Sequence, residues 1–167
     1  MSNAVLISIR PKWCEMIGGR VKTVEVRKSR PKIDTPFKCY IYCTKPSYAH
    51  EDFLVFDDGT NKIRAFYGGK KVIGEFICDF IFPISFYASD ASFFDTEPPL
   101  SVPGTCLTDR EIADYLGNGK TGYGWHISDL KIYDKPKELK QFQIPTTIPA
   151  RRVRQAPQSW CYIEEVE

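Results

Sequence analysis

Residues 18–27 read Gly18-Gly19-Arg20-Val21-Lys22-Thr23-Val24-Glu25-Val26-Arg27, the end of a helical pattern followed by a strand. The two glycines end the helical pattern, and the β-branched run after them alternates like a half-buried strand. Successive strand side chains point to opposite faces, so the two valines of Val-Glu-Val face the core while Thr23, Glu25 and Arg27 face the other side. Lys22 lies where this strand begins.

The polar face of this strand suits an anionic or amide-bearing ligand. Arg27 offers paired planar donors, Lys22 a point charge and Glu25 an acceptor for the amino groups of base edges. The same alternation also fits a solvated surface with cross-strand ion pairs, each of which contributes less than about 1 kcal/mol. Both interpretations remain open at this point.

The composition indicates one folded domain. A chain of 167 residues with 43% hydrophobic and 14% aromatic residues buries a single core, and we expect one domain over residues 1–167. The net charge of +2 is too small to indicate nucleic-acid binding by itself. Local basic clusters occur, however, with seven basic residues between Arg20 and Lys38 and a second group at Arg151, Arg152 and Arg154.

The cysteines point to a reducing compartment. Six cysteines occur in a chain that shows neither a signal peptide nor an apolar run of membrane-spanning length, so we expect a cytoplasmic protein with no membrane contact. Several of the cysteines sit in apolar runs, where a free thiol behaves as a small hydrophobe. With two histidines and no C-x-x-C pair, we predict neither a metal site nor a cofactor.

The pattern of short elements predicts six strands and two or three short helices. Pro11 opens a helix over 11–17, and a capping box at Thr108 and Glu111 opens another over 109–116. A third helical turn is expected at 136–141. The strands are expected at 4–9, 21–28, 37–44, 70–82, 123–133 and 159–165, with a bend or bulge at Gly74.

The order of these elements favours a compact α+β mixed barrel over a doubly wound sheet, because no regular βαβ alternation occurs. Both faces of the third strand are apolar, which predicts a central position for it in the sheet. Residues 45–69 are polar, turn-rich and aromatic, so we expect an insertion there that contains a hairpin.

Other residues are candidates for ligand contact, each with a structural alternative. Trp125 is suited to stack on a base and His126 to donate to a phosphate, but they face opposite sides of one strand. Core packing of Trp125 and a structural hydrogen bond of His126 are the favoured alternatives. Lys45, Arg151 and Arg152 are candidate phosphate contacts that also fit a solvated surface.

Several of these motifs resemble a known family. The opening Leu6-Ile-Ser-Ile-Arg-Pro11, the short helix and Gly19-Arg20-Val21-Lys22-Thr23-Val24-Glu25-Val26-Arg27 resemble the start of an ASCH domain of the PUA-like superfamily. Val72-Ile-Gly-Glu-Phe76 and Tyr123-Gly-Trp-His-Ile127 are similar to later strands of that fold. Leu130-Lys-Ile-Tyr-Asp-Lys-Pro136 and Pro157-Gln-Ser-Trp-Cys-Tyr162 resemble, more narrowly, phage- and prophage-associated members.

The resemblance implies a small β-barrel of PUA-like type with a cleft beside the strand that follows Lys22. ASCH domains are suspected of binding RNA, and related members hold a modified base or nucleotide in an aromatic-lined pocket. One ASCH branch hydrolyses the acetyl amide of N4-acetylcytidine with a lysine, a threonine and a glutamate. The lysine corresponds to Lys22, whereas Glu25 stands where that branch has its threonine, which leaves enzymatic activity uncertain.

Three hypotheses follow from the sequence. The first is a module that binds RNA or a modified nucleotide through Lys22, Thr23, Glu25 and Arg27, with the other candidate contacts around them. The second is an amidohydrolase acting on a modified nucleoside, in which Lys22 and Glu25 would be the catalytic residues. The third is a phage accessory protein whose basic face meets a protein partner.

Overall fold

The computed structural model describes residues 3–86, 102–145 and 149–166, which form twelve strands and two α-helices. In chain order these are β1 (Asn3–Ile9), α1 (Pro11–Gly18), β2 (Val24–Arg27), β3 (Phe37–Cys43), β4 (Phe53–Asp57), β5 (Ile63–Tyr67), β6 (Lys71–Cys78), β7 (Ile81–Ile84), α2 (Asp109–Leu116), β8 (Gly122–His126), β9 (Ser128–Glu138), β10 (Gln143–Ile144), β11 (Arg151–Arg152) and β12 (Trp160–Glu164). The predicted α+β class and most of the predicted elements are confirmed.

A five-stranded sheet in the order β12-β1-β3-β6-β9 carries most of the core. β1 runs parallel to β3, and the other neighbours are antiparallel. The predicted central position of β3 is confirmed, because apolar clusters cover both faces of the sheet. One cluster lies under α1 and the β4–β5 hairpin, and the other contains Phe142 and Val153.

Two runs that the sequence predicts as long single strands are each divided between two sheets. The run at 70–82 becomes β6 in the large sheet and β7 in a small one, and the run at 123–133 becomes β8 and β9 in the same way. The breaks are adjacent, at Asp79–Phe80 and at Ile127, where the His126 amide donates to the Phe80 carbonyl at 3.1 Å. The chain bends there because strands that turn a corner between sheets must leave one hydrogen-bond ladder for another.

The prediction of a barrel of about six strands is therefore wrong in strand number and in closure. No closed barrel forms among the described strands, which lie in the five-stranded sheet, a three-stranded sheet β2-β8-β7 and two two-stranded sheets. The expected helical turn at 136–141 is also shorter than predicted, because β9 extends to Glu138 and only Leu139–Gln141 form a 3-10 turn. The bulge expected at Gly74 is confirmed by a register shift between Val72 and Gly74.

The hairpin expected within residues 45–69 is present as β4 paired with β5. It packs on α1, which begins at Pro11 as predicted. Gly18 is needed at the contact, since a Cβ there would lie 2.5 Å from the Phe56 ring. The left-handed position after the helix belongs to Arg20, with φ 60°, and not to either glycine.

The second helix is held at its start by the predicted capping box. Thr108 accepts a hydrogen bond from the Glu111 amide at 3.2 Å, and the Glu111 carboxylate accepts one from the Thr108 amide at 2.8 Å. These bonds satisfy amide groups that the first turn would otherwise leave unpaired. α2 packs with Ile112 and Leu116 against Val26 of β2, so it forms a wall beside the strand that the sequence singles out.

Candidate functional site

Three charged side chains around β2 are buried together. Lys22 is 2% exposed, Glu25 6% and Arg27 7%, whereas charged side chains are almost never buried without partners. β2 begins only at Val24, so Lys22 precedes the strand, and its amide bonds the Met16 carbonyl at the end of α1 at 3.0 Å. The sequence-based alternative of a solvated surface is therefore excluded for these three residues.

Glu25 bridges the two cations. Its Oε1 lies 3.0 Å from Arg27 Nη2, and its Oε2 lies 3.5 Å from Lys22 Nζ. Lys22 Nζ also donates to the Thr105 carbonyl at 2.6 Å, and Arg27 Nη2 donates to the Ser8 carbonyl at 2.7 Å. Both cations are thus held by fixed acceptors, and the group carries a net charge of +1.

These three residues, called here the buried triad, line a cavity of about 390 Å³. That size lies near the lower end of the range for small-molecule sites, about 300–1,000 Å³. The remaining walls come from β2, from the ends of β1 and β3, from α1, from α2 and the residue before its N-cap, and from the segment before β12. They contribute Ser8, Arg10, Trp13, Val26, Thr44, Leu107, Glu111, Tyr115, Gln158 and Ser159.

Two aromatic side chains face this cavity from different helices. Trp13 of α1 lies under two ammonium groups, with its ring centroid 5.0 Å from Lys22 Nζ and 4.6 Å from Lys12 Nζ. Tyr115 of α2 has Lys28 Nζ 5.3 Å from its ring. Burial raises the pKa of the Tyr115 hydroxyl, which the Arg27 guanidinium partly opposes, so Tyr115 is a neutral hydrogen-bonding aromatic at neutral pH.

The cavity therefore combines three kinds of interaction. The buried triad and the exposed Arg10 favour an anionic group, Trp13 and Tyr115 offer flat apolar surfaces, and hydroxyl groups supply hydrogen bonds. Among the described residues, Glu25 Oε2 accepts no hydrogen bond. Nucleotides combine charge, a flat ring and hydrogen-bonding edges in one molecule.

The structure brings together only some of the residues predicted for the site. Lys22, Glu25 and Arg27 line the cavity, but Thr23 does not, because its backbone bonds Gly104 and its side chain packs against that glycine. Lys45 lies outside the cavity and lines a second, more open depression, although its neighbour Thr44 reaches the first.

Trp125 and His126 point to opposite faces of β8, as the alternation predicts, and neither lines the cavity. Trp125 is 0% exposed and packs edge-on against Phe37 in the core, which corrects the prediction that it stacks on a base. His126 lies at the surface, with Nδ1 2.6 Å from Asp79 Oδ1 and its ring stacked on Phe80. The structural alternative stated for each residue is the one observed.

The second basic cluster lies away from the cavity walls. Arg151 and Arg152 are exposed on β11, which pairs with β10, and neither residue lines the cavity. In the described part of the chain, no helix is long and apolar enough to cross a bilayer.

Several wall residues were not identified from the sequence. Trp13 and Tyr115 were predicted only to lie within the helices at 11–17 and 109–116. Ser8 and Arg10 are about 150 residues from Ser159 in sequence, and they meet only in the folded chain. The proline after Arg10 and the capping box indicated helices but gave no signal of which face would line a cavity.

Comparisons with known proteins show the fold. No protein-family model and no curated protein matches the sequence. The solved structure of ASCH from Zymomonas mobilis is 19% identical, with a TM-score of 0.60, covering 97% of this chain and 88% of that one. A tyrosine-to-phenylalanine variant of ZmASCH gives 19% identity, a TM-score of 0.59 and coverage of 97% and 91%. A serine-to-alanine variant of ZmASCH is 18% identical, with a TM-score of 0.60, covering 97% of this chain and 89% of that one. The chain thus shares the ASCH fold.

Proposed function

We propose that this protein binds RNA or a modified nucleotide, with one nucleotide held in the cavity beside β2. The observation that carries the proposal is the buried triad, because three charged side chains form a wall of a cavity that also has two aromatic faces. The shared ASCH fold, and the resemblance of the motifs to a family suspected of binding RNA, support the same function.

The energetics of burial support a ligand role for the triad. Removing charges from water costs several kcal/mol per ion, and well-packed apolar residues of the same volume are often as stable or more stable. Stability alone therefore does not explain two cations and a carboxylate in this wall. A ligand that carries negative charge and hydrogen-bonding edges would use them.

The size and charge of the cavity define how a nucleotide would be held. A volume of about 390 Å³ suits one nucleotide rather than a row of bases. The base would lie against Trp13 or Tyr115, since stacking on one aromatic ring contributes about 1–3 kcal/mol per base. The phosphate would meet Arg10 and the positive side of the triad.

Fluorescence titration tests this proposal, because Trp13 lies in the cavity and reports on its occupancy. We expect nucleoside monophosphates and short single-stranded RNA to change the tryptophan fluorescence, with an affinity that falls as salt rises. Arg10→Ala removes an exposed wall residue, and Tyr115→Ala removes an aromatic ring together with a hydrogen bond to Arg27. Each should weaken binding about tenfold.

The matched control for Arg10→Ala is Arg110→Ala, an exposed arginine of α2 that does not line the cavity and should leave binding unchanged. Circular dichroism establishes that each variant is folded. The absence of any binding to mononucleotides and RNA at low salt would contradict the proposed function.

A second candidate function is hydrolysis of a modified nucleoside at an amide. The observation that favours it is the Glu25 carboxylate, whose Oε2 lies 3.5 Å from the Lys22 ammonium and accepts no hydrogen bond among the described residues. A carboxylate beside an amine at the wall of a cavity is an arrangement used for proton transfer. Release of acetate from N4-acetylcytidine at high salt, lost in Lys22→Met, would favour this enzyme over a binding module.

The resemblance to phage- and prophage-associated proteins predicts that the gene for this chain lies among phage genes. Sequencing of the genes on either side of it tests that prediction.

A further inference from the structure

The outer face of the β4–β5 hairpin is apolar and uncovered. Its inner residues Leu54 and Phe56 pack into the core, while Phe53, Val55, Ile63 and Tyr67 on the outside are 41%, 45%, 65% and 57% exposed. Most large apolar side chains of a stable two-stranded sheet would be expected on the packed face only. The outer face is therefore a candidate contact surface.

The aromatic pair Phe53 and Tyr67 lies at the open end of this hairpin. The two residues are cross-strand partners, and their ring centroids are 4.8 Å apart at an interplanar angle of 57°. Both rings keep an exposed surface, and the hairpin backbone fixes their positions. Each of the two tilted rings has an exposed face on which a planar ring can stack.

A basic depression adjoins the aromatic pair. It has a volume of about 400 Å³ and is lined by Lys45, Tyr48, His50, Asp52 and Lys70, among others. Asp52 directly precedes Phe53, so this depression and the aromatic pair share a border. Two lysines against one aspartate give the depression a positive charge, which complements a phosphate chain.

Consecutive residues after β3 connect this depression with the proposed nucleotide cavity. Thr44 lines the cavity and the next residue, Lys45, lines the depression. On the other side, β4 is tied to the helix that carries Trp13, because the Val55 amide donates to the Glu15 carboxylate at 3.1 Å. Neighbouring residues in the chain thus link the cavity to the depression and the depression to the aromatic pair.

We propose that these three features form a continuous track for single-stranded RNA, so that the ligand extends beyond the nucleotide in the cavity. The backbone crosses the depression with its phosphates near Lys45 and Lys70, and a following base stacks on the aromatic pair. This inference rests on the proposed function, because the cavity holds the first nucleotide of the track.

The dimensions of the hairpin favour RNA over a protein partner. Strands of five residues span about 17 Å, and two strands give a narrow surface. A stable protein interface needs about 800 Å² from each partner, which is more than this face offers. A base needs only one aromatic face and a nearby cation, both of which are present.

A length series of RNA tests the track. Oligonucleotides of one to eight residues are titrated against the native protein and Phe53→Ala/Tyr67→Ala. We expect the affinity of the native protein to rise with length and the double variant to lose about 5- to 150-fold for the long RNA, corresponding to one stacked base. The matched control is Ile63→Ala, which removes an exposed apolar residue at the other end of the same face and should leave the length series unchanged.

A second pair of variants tests the depression independently. Lys45→Gln and Lys70→Gln should each remove one phosphate contact from the complex with long RNA. Each should therefore make the slope of log K for RNA binding against log salt shallower by about 0.7. These residues are exposed, so neither change should alter the unfolding midpoint.

Three results would overturn the proposed track without contradicting the proposed nucleotide binding in the cavity. If mononucleotides bind but affinity does not rise with length, the track is absent and the cavity proposal stands. If length matters but none of the variants has an effect, RNA leaves the cavity elsewhere. If the double variant instead abolishes self-association in sedimentation and leaves RNA binding unchanged, the face serves a second copy of the chain. Failure of all nucleotides to bind would refute the proposed function itself.

Discussion

Glu25 is the residue on which the charge balance of the cavity depends, because it is the only carboxylate of the triad and touches both cations. Removing one partner of a buried ion pair costs about 3–5 kcal/mol, since the remaining charge is left without compensation. Lys22 and Arg27 would both lose their countercharge in Glu25→Gln. In Lys22→Met, the carboxylate would still have Arg27.

We therefore expect Glu25→Gln to lower the free energy of unfolding by about 3–5 kcal/mol, and Lys22→Met to lower it by less. Urea denaturation followed by fluorescence measures both values. The control is Lys12→Met, which removes an exposed ammonium near the same Trp13 ring and should change stability by less than about 1 kcal/mol. Equal effects of the Glu25 and Lys22 substitutions would show that the carboxylate does not serve as a bridge.

The thiols provide a second prediction at the residue scale. Burial raises the pKa of Cys14, Cys39 and Cys78, in the last case to about 12, so these thiols hold almost no thiolate at pH 8. Cys106 is only half-buried, and its Sγ donates to the Val21 carbonyl at 3.5 Å. A thiol-specific reagent at pH 8 should react with Cys106 before the buried cysteines, and Cys106→Ser should remove the fastest phase.

All six cysteines should react in denaturant, which calibrates the assay. Rapid modification of Cys78 in the native protein would mean that β6 opens more readily than its burial implies.

At the scale of elements, the contact between α1 and the hairpin depends on one of two adjacent glycines. A Cβ on Gly18 would lie 2.5–2.8 Å from three atoms of the Phe56 ring, whereas a Cβ on Gly19 would come no closer than 3.4 Å to any neighbour. Helix propensity alone favours alanine by about 1 kcal/mol, so packing and propensity predict opposite signs for a substitution of Gly18.

We expect Gly18→Ala to destabilise the protein by about 1–3 kcal/mol because the hairpin must move off the helix. Gly19→Ala, at a position with φ −77°, should be neutral within about 0.5 kcal/mol. Thermal unfolding of both variants and the native protein under the same conditions measures the two changes in stability. A stabilised Gly18→Ala would show that Phe56 repacks without cost.

Local elements were the part of the fold that the sequence could predict. Pro11, the two glycines after Ile17 and the capping box at Thr108 act within a few residues, so helices form where these signals stand. The division of two long runs at Asp79 and Ile127 could not be predicted, because a change of sheet depends on which strands lie alongside. The residues on both sides of each break have strand-like sequences.

The candidate site was predictable to a similar extent. Alternation along β2 placed Glu25 and Arg27 on one face, and both residues line the cavity, as does Val26 between them. Burial of that face, and the assembly of Trp13, Tyr115 and Ser159 around it, depend on contacts between distant parts of the chain. The same limit explains why Trp125 was a plausible stacking residue until the structure placed it in the core.

At the scale of the whole molecule, the two ends of the described chain lie side by side. β1 pairs with β12, with Asn3 opposite Glu164, while the turn between β4 and β5 is exposed. Exposed turns far from the core are the places where a chain tolerates new ends. The connectivity of the chain can therefore be changed without changing the sheet.

A circular permutant that joins residue 164 to residue 3 through a short linker and opens between Thr60 and Asn61 should fold and keep the nucleotide affinity of the native chain. Opening between Gly104 and Thr105 should instead reduce both stability and binding, because the Thr105 carbonyl holds Lys22 Nζ. Circular dichroism and the fluorescence titration compare the two permutants. Loss of the fold in the first would show that the hairpin turn contributes more than its exposure indicates.

The pairing of β12 with β1 also determines when the cavity can form during translation. Synthesis delivers β1 and the buried triad early, but Ser159 and the strand that covers the edge of β1 emerge much later. Until then the ribosome holds a nascent chain whose β1 has an open edge and whose cavity lacks a wall. Under the proposed function, the nucleotide site is therefore incomplete during the time that messenger and ribosomal RNA surround the nascent chain.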